Sequence, residues 1–332
     1  MAAPIAPRRV LLVRLSHLGD IAQTLPLLHA VQAAWPGAEV AWAVQPEFSG
    51  LIGPLARVLP FERRGGAGAW RALRAEVRSF DPDLVLDAQG NWKSAVAARL
   101  AGRRARAIGF ARSEWQEPLA SRVTRPDHAP PAQGPHLVDR CLALARHAVG
   151  GPVEARLDPA LDERERLRGA ELLGDVGEAP ILLHPGVPGD RRSWPKDRFA
   201  ELARVLGERG RSVVVLTGPG EASVGRQLEA DVRNARRHIV GQRGLRDLGG
   251  LLAAAHARGG RLVVGDSGPA HVAASVGLPV VLLAGPEDPS RTGPWPIAGT
   301  NGSPHRVAGP AWIPRAIESI TVGDVVESLA PA

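Results

Sequence analysis

The feature that most limits how this chain can fold is a repeated alternation. Apolar runs of three to six residues each lead into a polar turn and then a helical stretch. In the first half the runs are Val10–Leu15, Glu39–Val44, Leu84–Leu86 and Ala105–Phe110. The periodicity predicts helices over Ile21–Trp35, Trp70–Phe80, Lys93–Leu100 and His136–Val149. Pro46–Val58 reads as helical in part, Gly65–Gly68 as a flexible loop and Arg125–Pro135 as irregular. In the second half the runs are Ile181–His184, Ser212–Thr217, Leu262–Val264 and Pro279–Leu283. Helices are predicted over Asp197–Arg209, Glu221–Arg233, Leu245–Ala257 and from Gly268 or Pro269 to Val276, with a terminal helix over Thr321–Ala330. Apolar strands alternating with amphipathic helices specify α/β folding, with parallel sheets covered by helices on both faces.

A length of 332 residues exceeds one ordinary core. The pattern breaks at Gly150–Pro159, where Gly-Gly-Pro and Asp-Pro interrupt it, so two domains are expected, 1–155 and 156–332. Ligands of parallel sheets sit beyond the carboxyl ends of the strands. Two such edges facing each other would form a cleft.

The strand-end turns are where chemistry is expected. Asp266-Ser267-Gly268-Pro269-Ala270-His271 joins a strand to a helix. Pro in the first turn and Asp or Ser before it are start signals, and the free N–H groups of a helix start suit a phosphate. His271 is as well suited to pack or cap as to touch phosphate. Asp266 either reaches the ligand or caps the helix. His184-Pro185-Gly186 opens a long turn containing Asp190-Arg191-Arg192-Ser193-Trp194-Pro195. Adjacent arginines after a strand are good diphosphate ligands, and Trp194 implies a packed rather than a solvated loop. Glu221, in Gly218-Pro219-Gly220-Glu221, either accepts from a ribose hydroxyl or favours the positive end of its helix. Gly285–Pro289 makes a third turn on that edge. In the first half, Asp20 follows Gly19 in the first strand-to-helix turn, as a helix cap or as a general base. Asp87–Ser94 is an amide-rich turn suited to sugar hydroxyls, or an Asn-Gly turn opening a helix. The chain has no Gly-x-Gly-x-x-Gly fingerprint in the first turn, no Walker loop, no nucleophile elbow and no metal-ligand spacing.

Charge separates the halves. Residues 1–155 carry 19 Lys+Arg against 13 Asp+Glu, whereas residues 156–332 carry 22 against 21. The excess predicts an anionic partner for the first half. A nucleic acid is not expected, because no binding motif is present and aromatics make up only 4% of the chain. A single cysteine, Cys141, allows no internal disulfide, and no run approaches the roughly 20 apolar residues of a membrane span. Both point to the cytoplasm.

Taken in order, Val10–Pro26 with Ser-His-Leu-Gly-Asp and Gln-Thr-Leu-Pro, Asp87–Ser94, Ile108-Gly109-Phe110, Glu117–Ser121, His184-Pro-Gly, Trp194-Pro195, Gly218–Glu221, Asp266–His271 and Gly285–Pro289 resemble the motifs of glycosyltransferase family 9, the bacterial heptosyltransferases. The acceptor-side signatures are most similar to heptosyltransferase I. The resemblance implies a GT-B fold of two Rossmann-like domains facing a central cleft, acceptor on the first and nucleotide-sugar on the second, with the C-terminal helix packing back on the first. It implies inverting transfer of heptose from ADP-L-glycero-D-manno-heptose to the Kdo inner core of lipopolysaccharide, with no cofactor and no metal. Asp20 falls on the catalytic base. His184, Arg191, Arg192, Gly218, Glu221, Asp266, Ser267, Gly268 and His271 fall on the donor site. Ser16, His17, Arg63, Arg64, Gln89, Asn91 and Lys93 are the acceptor-side candidates. The family usually has Lys two residues before Trp-Pro, and here that position is Arg192. The expected partners are a nucleotide sugar, an anionic lipid-linked acceptor and the inner face of the cytoplasmic membrane. Another family 9 donor or acceptor, or a non-catalytic nucleotide-sugar binder, are the alternatives.

Overall fold

The computed structural model describes residues 6–187, 189–218, 221, 228, 235–239 (backbone), 244–300, 302–309, 312, 314 and 316–330. It divides into two units, residues 1–160 and 161–332. In the first unit the strands are β1 (Arg9–Val13), β2 (Glu39–Val44), β3 (Arg57–Pro60), β4 (Leu84–Asp87), β5 (Arg106–Gly109) and β6 (Asp127–His128). They pair in the order β3-β2-β1-β4-β5-β6, all parallel. Val10 to Val13 are fully buried, which is why β1 is an unbroken apolar run rather than an alternating one. The helices are α1 (Leu18–Ala34), α2 (Gly66–Phe80), α3 (Trp92–Arg99) and α4 (Leu137–Val149). On α2, Ala69, Leu73, Val77 and Phe80 recur at helical spacing and pack on Leu11, Val13 and Ala41 of the sheet and on Phe61 just beyond β3. Two strands lay hidden in segments read otherwise. Pro46–Leu51 is a short 3₁₀ turn and β3 follows it, while β6 sits in the proline-rich stretch. Both are edge strands, so they carry little of the apolar signal that marks the central ones.

The second unit repeats the topology. Its strands are β7 (Ile181–His184), β8 (Val213–Thr217), β9 (Ala235–Ile239), β10 (Arg261–Gly265), β11 (Val280–Leu283) and β12 (Arg306–Val307), ordered β12-β11-β10-β7-β8-β9 and all parallel. Its helices are α5 (Glu163–Leu173), α6 (Lys196–Glu208), α7 (Leu245–Ala257), α8 (Gly268–Ser275) and α9 (Val322–Ser328). The helix expected over 221–233 falls largely outside the described residues. The terminal helix α9 contributes to the second unit's core. Val322, Val325 and Leu329 form one stripe and complete the apolar face of α6 around Phe199, Leu202 and Leu206.

Helix α5 carries six charged residues among its eleven and its apolar periodicity is weak. It begins on a capping box, in which the side chains of Asp162 and Glu165 each accept from the other's backbone N–H. Asp162 Oδ1 accepts from Glu165 N at 2.7 Å, and Glu165 Oε2 accepts from Asp162 N at 2.9 Å. The helix is held to α7 by a glycine crossing. A Cβ on Gly169 would lie 2.0 Å from the Gly250 carbonyl carbon, and one on Gly250 would lie 2.3 Å from Glu165 O. The neighbours are backbone and cannot swing aside. Gly169→Ala is therefore expected to destabilise the second unit by about 3 kcal/mol through overpacking, read as a fall in the urea midpoint. An unchanged midpoint would mean the crossing is loose.

His305, buried against β11, accepts from Val280 N through Nδ1 at 3.1 Å, with Nε2 3.1 Å from Trp295 O. The two contacts require the neutral ring protonated on Nε2. Burial pushes its pKa from 6.5 down to about 4. The unfolded chain therefore binds the proton first, and this contribution to stability is present above pH 6.5 and is lost as pH falls toward 4. The loss at pH 4 is about 3 kcal/mol. His305→Gln, whose amide offers the same acceptor and donor, is expected to flatten the pH dependence of the urea midpoint over that window. An unchanged slope would assign the dependence to other groups.

Candidate active site

The strand order sets β1 beside β4, with Val13 in register with Asp87. The turns after these strands therefore emerge side by side at the carboxyl edge, although they are far apart in the chain. They are stitched together there. Leu15 N donates to Gln89 Oε1 at 2.8 Å, and Arg14 Nη1 donates to Ala88 O at 2.7 Å. Asp87 works inward: it is buried and accepts from Gln89 N and Gly90 N, each at 3.0 Å, and from Ser94 Oγ at 2.9 Å. Burial pushes its carboxyl pKa up, against the pull of those donors. Gly90 has φ +74°, and a Cβ there would meet the Trp115 backbone at 3.2 Å. The turn therefore needs glycine, which alone adopts that φ without cost. Asn91 Oδ1 accepts from Ser94 N at 3.0 Å and caps α3, so the helix-opening reading of this loop holds for both Asn91 and Ser94.

These turns line a cavity of about 360 Å³. Ser16, His17 and Asp20 line it from the first turn, and Gln89, Asn91 and Lys93 from the second. Arg63 reaches its wall; Arg64, next in sequence, is exposed and does not line it. Asp20 lies in the first turn of α1 and accepts from His17 N at 3.3 Å, so it does serve the helix start. Its side chain is nevertheless 35% exposed and pairs with the Arg14 guanidinium, which is 4% exposed behind it. The two readings of Asp20 are compatible: the helix start and the arginine orient a carboxylate that still opens on the cavity.

Sequence reasoning missed Arg14. Its signal was there, a lone cation near the end of an apolar strand, but its partners were not. It also missed Gln116, and it named the Glu117–Ser121 motif without giving Glu117 a role; both residues line the same cavity. Glu117 Oε2 accepts from Trp92 N at 2.8 Å and so joins the 3₁₀ turn Pro118–Ala120 to the start of α3.

In the second unit His184, Thr217 and the Asp266–Gly268 turn lie at the ends of neighbouring strands β7, β8 and β10. His184 Nε2 is 3.3 Å from Glu221 Oε2, which also accepts from Gly218 N at 2.8 Å. Burial lowers the His184 pKa, opposed by the Glu221 charge. Three buried atoms here have no hydrogen-bond partner among the described residues: His184 Nδ1, Thr217 Oγ1 and Ser267 Oγ. An orphaned buried polar atom is costly, and three at one sheet edge mark a place shaped for a polar ligand.

Helix α8 starts at Gly268 with Ser267 as its N-cap residue, but no side chain caps it. Asp266 is not the cap; its Oδ1 lies 3.8 Å from Nε2 of the buried His271. The turn carrying Arg191 and Arg192 rests directly on this edge, since a Cβ on Gly265 would lie 2.4 Å from Arg192 O. Trp194 anchors that turn: it is buried, donates from Nε1 to Ile320 O at 2.9 Å and packs edge-on to Phe199 at 5.1 Å. Both arginines hold carboxylates. Arg192 grips Asp190 with Nε–Oδ1 at 3.1 Å and Nη2–Oδ2 at 2.8 Å, and Arg191 Nη2 meets Glu287 Oε1 at 2.5 Å. The Arg192 guanidinium pulls the Asp190 carboxyl down to about 2. Such exposed pairs contribute about 0–1 kcal/mol and exchange readily for a phosphate. Among the described residues no group of His, Cys, Asp and Glu could hold a metal ion.

Comparison with known proteins gives a consistent picture. The family model for glycosyltransferase family 9 (heptosyltransferase) matches residues 70–309. Lipopolysaccharide heptosyltransferase 1 of Pseudomonas aeruginosa is 35% identical over 299 residues, 86% of this chain and 81% of that protein. Lipopolysaccharide heptosyltransferase 1 of Escherichia coli K12 is 29% identical over 303 residues, 86% of this chain and 90% of that protein. Among solved structures, E. coli heptosyltransferase WaaC with ADP has a TM-score of 0.76 at 26% identity, covering 97% of this chain and 100% of that one.

Proposed function

The chain belongs to glycosyltransferase family 9, and from that premise we propose that it transfers L-glycero-D-manno-heptose from ADP-heptose to a Kdo residue of the lipopolysaccharide inner core. The names of its relatives support the sugar and the pathway position, and the ADP held by its E. coli structural relative supports the donor. The observation that carries the reading is Asp20: a partly exposed carboxylate, oriented by Arg14, in a cavity whose polar lining is mainly amides and cations and whose other carboxylate, Glu117, is engaged by Trp92 N.

In the proposed reaction Asp20 takes the proton of the acceptor hydroxyl as its oxygen attacks the anomeric carbon. The bond from that carbon to the diphosphate breaks, ADP leaves and the configuration inverts. Negative charge grows on the leaving oxygen, so fixed donors aimed at the diphosphate lower the barrier. Arg192, Arg191 and the Ser267–Gly268 helix start have this chemistry. Glu221 accepts from the ribose through Oε1, with His184 Nε2 and Gly218 N both set against its Oε2. Asp266 and His271 face the heptose. On the acceptor side Ser16, His17, Gln89 and Asn91 meet sugar hydroxyls, and Arg63 and Lys93 meet acidic groups, with Arg64 as a second cation outside the cavity. The scheme needs no metal and no cofactor beyond the donor. The enzyme works peripherally on the inner face of the cytoplasmic membrane, where the lipid-linked acceptor lies; among the described residues no helix is long and apolar enough to cross it.

The test is transfer by the purified protein from ADP-heptose to Kdo-lipid A, with product mass and ADP release as readouts and a panel of nucleotide sugars in thermal shift. One added heptose, with stabilisation by ADP-heptose, is the expected result. Stabilisation by UDP- or GDP-sugars and not by ADP-sugars would replace this donor assignment with another.

A further inference from the structure

Only a few large apolar side chains are exposed among the described residues, and three of them lie on neighbouring elements of the first unit: Trp92 (47% exposed), Val96 (37%) and Leu119 (54%). On α3, Trp92, Val96 and Arg99 fall on one side of the helix, while Ser94, Ala95, Ala97 and Ala98 face inward. Leu119 and Arg122 come from the 3₁₀ turn Pro118–Ala120 and the short helix Ser121–Thr124, which packs against α3.

The same face runs into a second cavity, of about 580 Å³, walled by Arg99, Arg103, Arg122 and Arg125 and by no acidic residue. None of the four arginines has a carboxylate within ion-pair distance among the described residues. This cavity is not the Asp20 site. Helix α3 runs from the carboxyl edge of the sheet, where Trp92 lines the Asp20 cavity, to the opposite edge, where Arg99 ends it. A helix of this length spans about 12 Å. The dipole of one helix C-terminus does not account for four cations drawn from two segments about 20 residues apart.

We infer that this face docks on an anionic lipid bilayer. Trp92, Val96 and Leu119 enter the boundary between head groups and acyl chains, and the Arg99–Arg103–Arg122–Arg125 cavity takes lipid phosphates. A bilayer surface supplies both chemistries side by side over this distance, apolar depth for an aromatic and two aliphatic side chains and anions for guanidinium groups. The inference deepens the proposed function by naming the surface through which the enzyme meets the membrane. It brings the Asp20 cavity to the level of the head groups, because Trp92 belongs to both.

The experiment is co-sedimentation of the full chain with vesicles containing no acceptor, either phosphatidylcholine alone or with about one-third phosphatidylglycerol, at ~0.1 M salt. The wild type is expected to bind the anionic vesicles and to be released by salt. Arg103→Glu with Arg122→Glu is expected to lower the partition at least about 30-fold, since each guanidinium near an anionic surface contributes about a factor of five. Val96→Ser with Leu119→Ser is expected to weaken binding at high salt as well as low. None of these four residues lines the Asp20 cavity, so both variants should transfer sugar to a water-soluble, deacylated acceptor at the wild-type rate. Equal binding of wild type and charge-reversed variant overturns the inference. So does binding of duplex DNA, or of inorganic phosphate, by a wild type that ignores anionic vesicles. A wild type that docks but transfers nothing to any acceptor would refute the proposed reaction and leave the docking face standing.

Discussion

Asp20→Asn is expected to lower kcat by about 10²–10⁴-fold while the affinity for ADP stays at the wild-type value. The amide keeps the shape of the carboxylate and an oxygen to accept from His17 N, so the start of α1 should persist. What it loses is the ability to take a proton. The second loss is the ion pair with Arg14, whose side chain is almost fully buried. That guanidinium keeps its bond to Ala88 O but loses its charge partner, so the melting temperature is expected to fall while the fold persists. Single-turnover rates with ADP-heptose, calorimetric titration of ADP and a melting curve separate the three quantities. Turnover within a few-fold of wild type would remove Asp20 from the role of base. Loss of ADP affinity in step with rate would point to a disturbed structure instead.

Arg192→Ala is the counterpart on the donor side. It is expected to reduce kcat/KM for ADP-heptose by about 10²–10³-fold, the usual effect of deleting one donor aimed at growing negative charge. The structure keeps this substitution clean for folding. The Arg192 side chain bonds Asp190, two residues away on the same exposed turn, and the turn is anchored by Trp194 rather than by that pair. Arg192→Lys tests the departure from the family pattern. A lysine restores the charge but not the planar fork, so binding of ADP should recover only in part if two oxygens are gripped. Full recovery would show that a point charge suffices, and wild-type kinetics in the alanine variant would place the diphosphate elsewhere. At neutral pH, Asp190 remains ionised, so diphosphate must displace a full carboxylate from Arg192, at a cost kept small by solvent.

How much of this was legible in the sequence depends on how local each feature is. The central strands were, because burial on both faces forces continuous apolar runs at Val10–Val13 and Ile181–Leu183. The edge strands Arg57–Pro60 and Asp127–His128 were not, because an edge strand has one neighbour and little apolar demand. Helix Glu163–Leu173 escaped because its grip on its neighbour is made by absent side chains at Gly169 and Gly250 rather than by an apolar stripe. The strand-end turns of the candidate site were legible as polar, glycine-bearing interruptions, and so Asp20, His184 and Asp266–Gly268 were named in advance. Arg64 shared that signal with Arg63, yet only Arg63 reaches the cavity, since neighbours on an exposed loop point different ways.

The sequence by itself determined the class of fold, the two units and the polar turns at the carboxyl edge of each sheet. These follow from hydrophobic periodicity and turn chemistry, which are written in short windows of the chain. The tertiary structure alone decided which turns are neighbours. The order β3-β2-β1-β4-β5-β6 sets Val13 beside Asp87, ties Leu15 to Gln89 and puts Arg14 behind Asp20. It also gathered, at the ends of β7, β8 and β10, three polar atoms without a partner among the described residues, and four arginines from two segments into one cavity. Those arrangements come from strand pairing and core packing between residues far apart in the chain, and no local pattern encodes them.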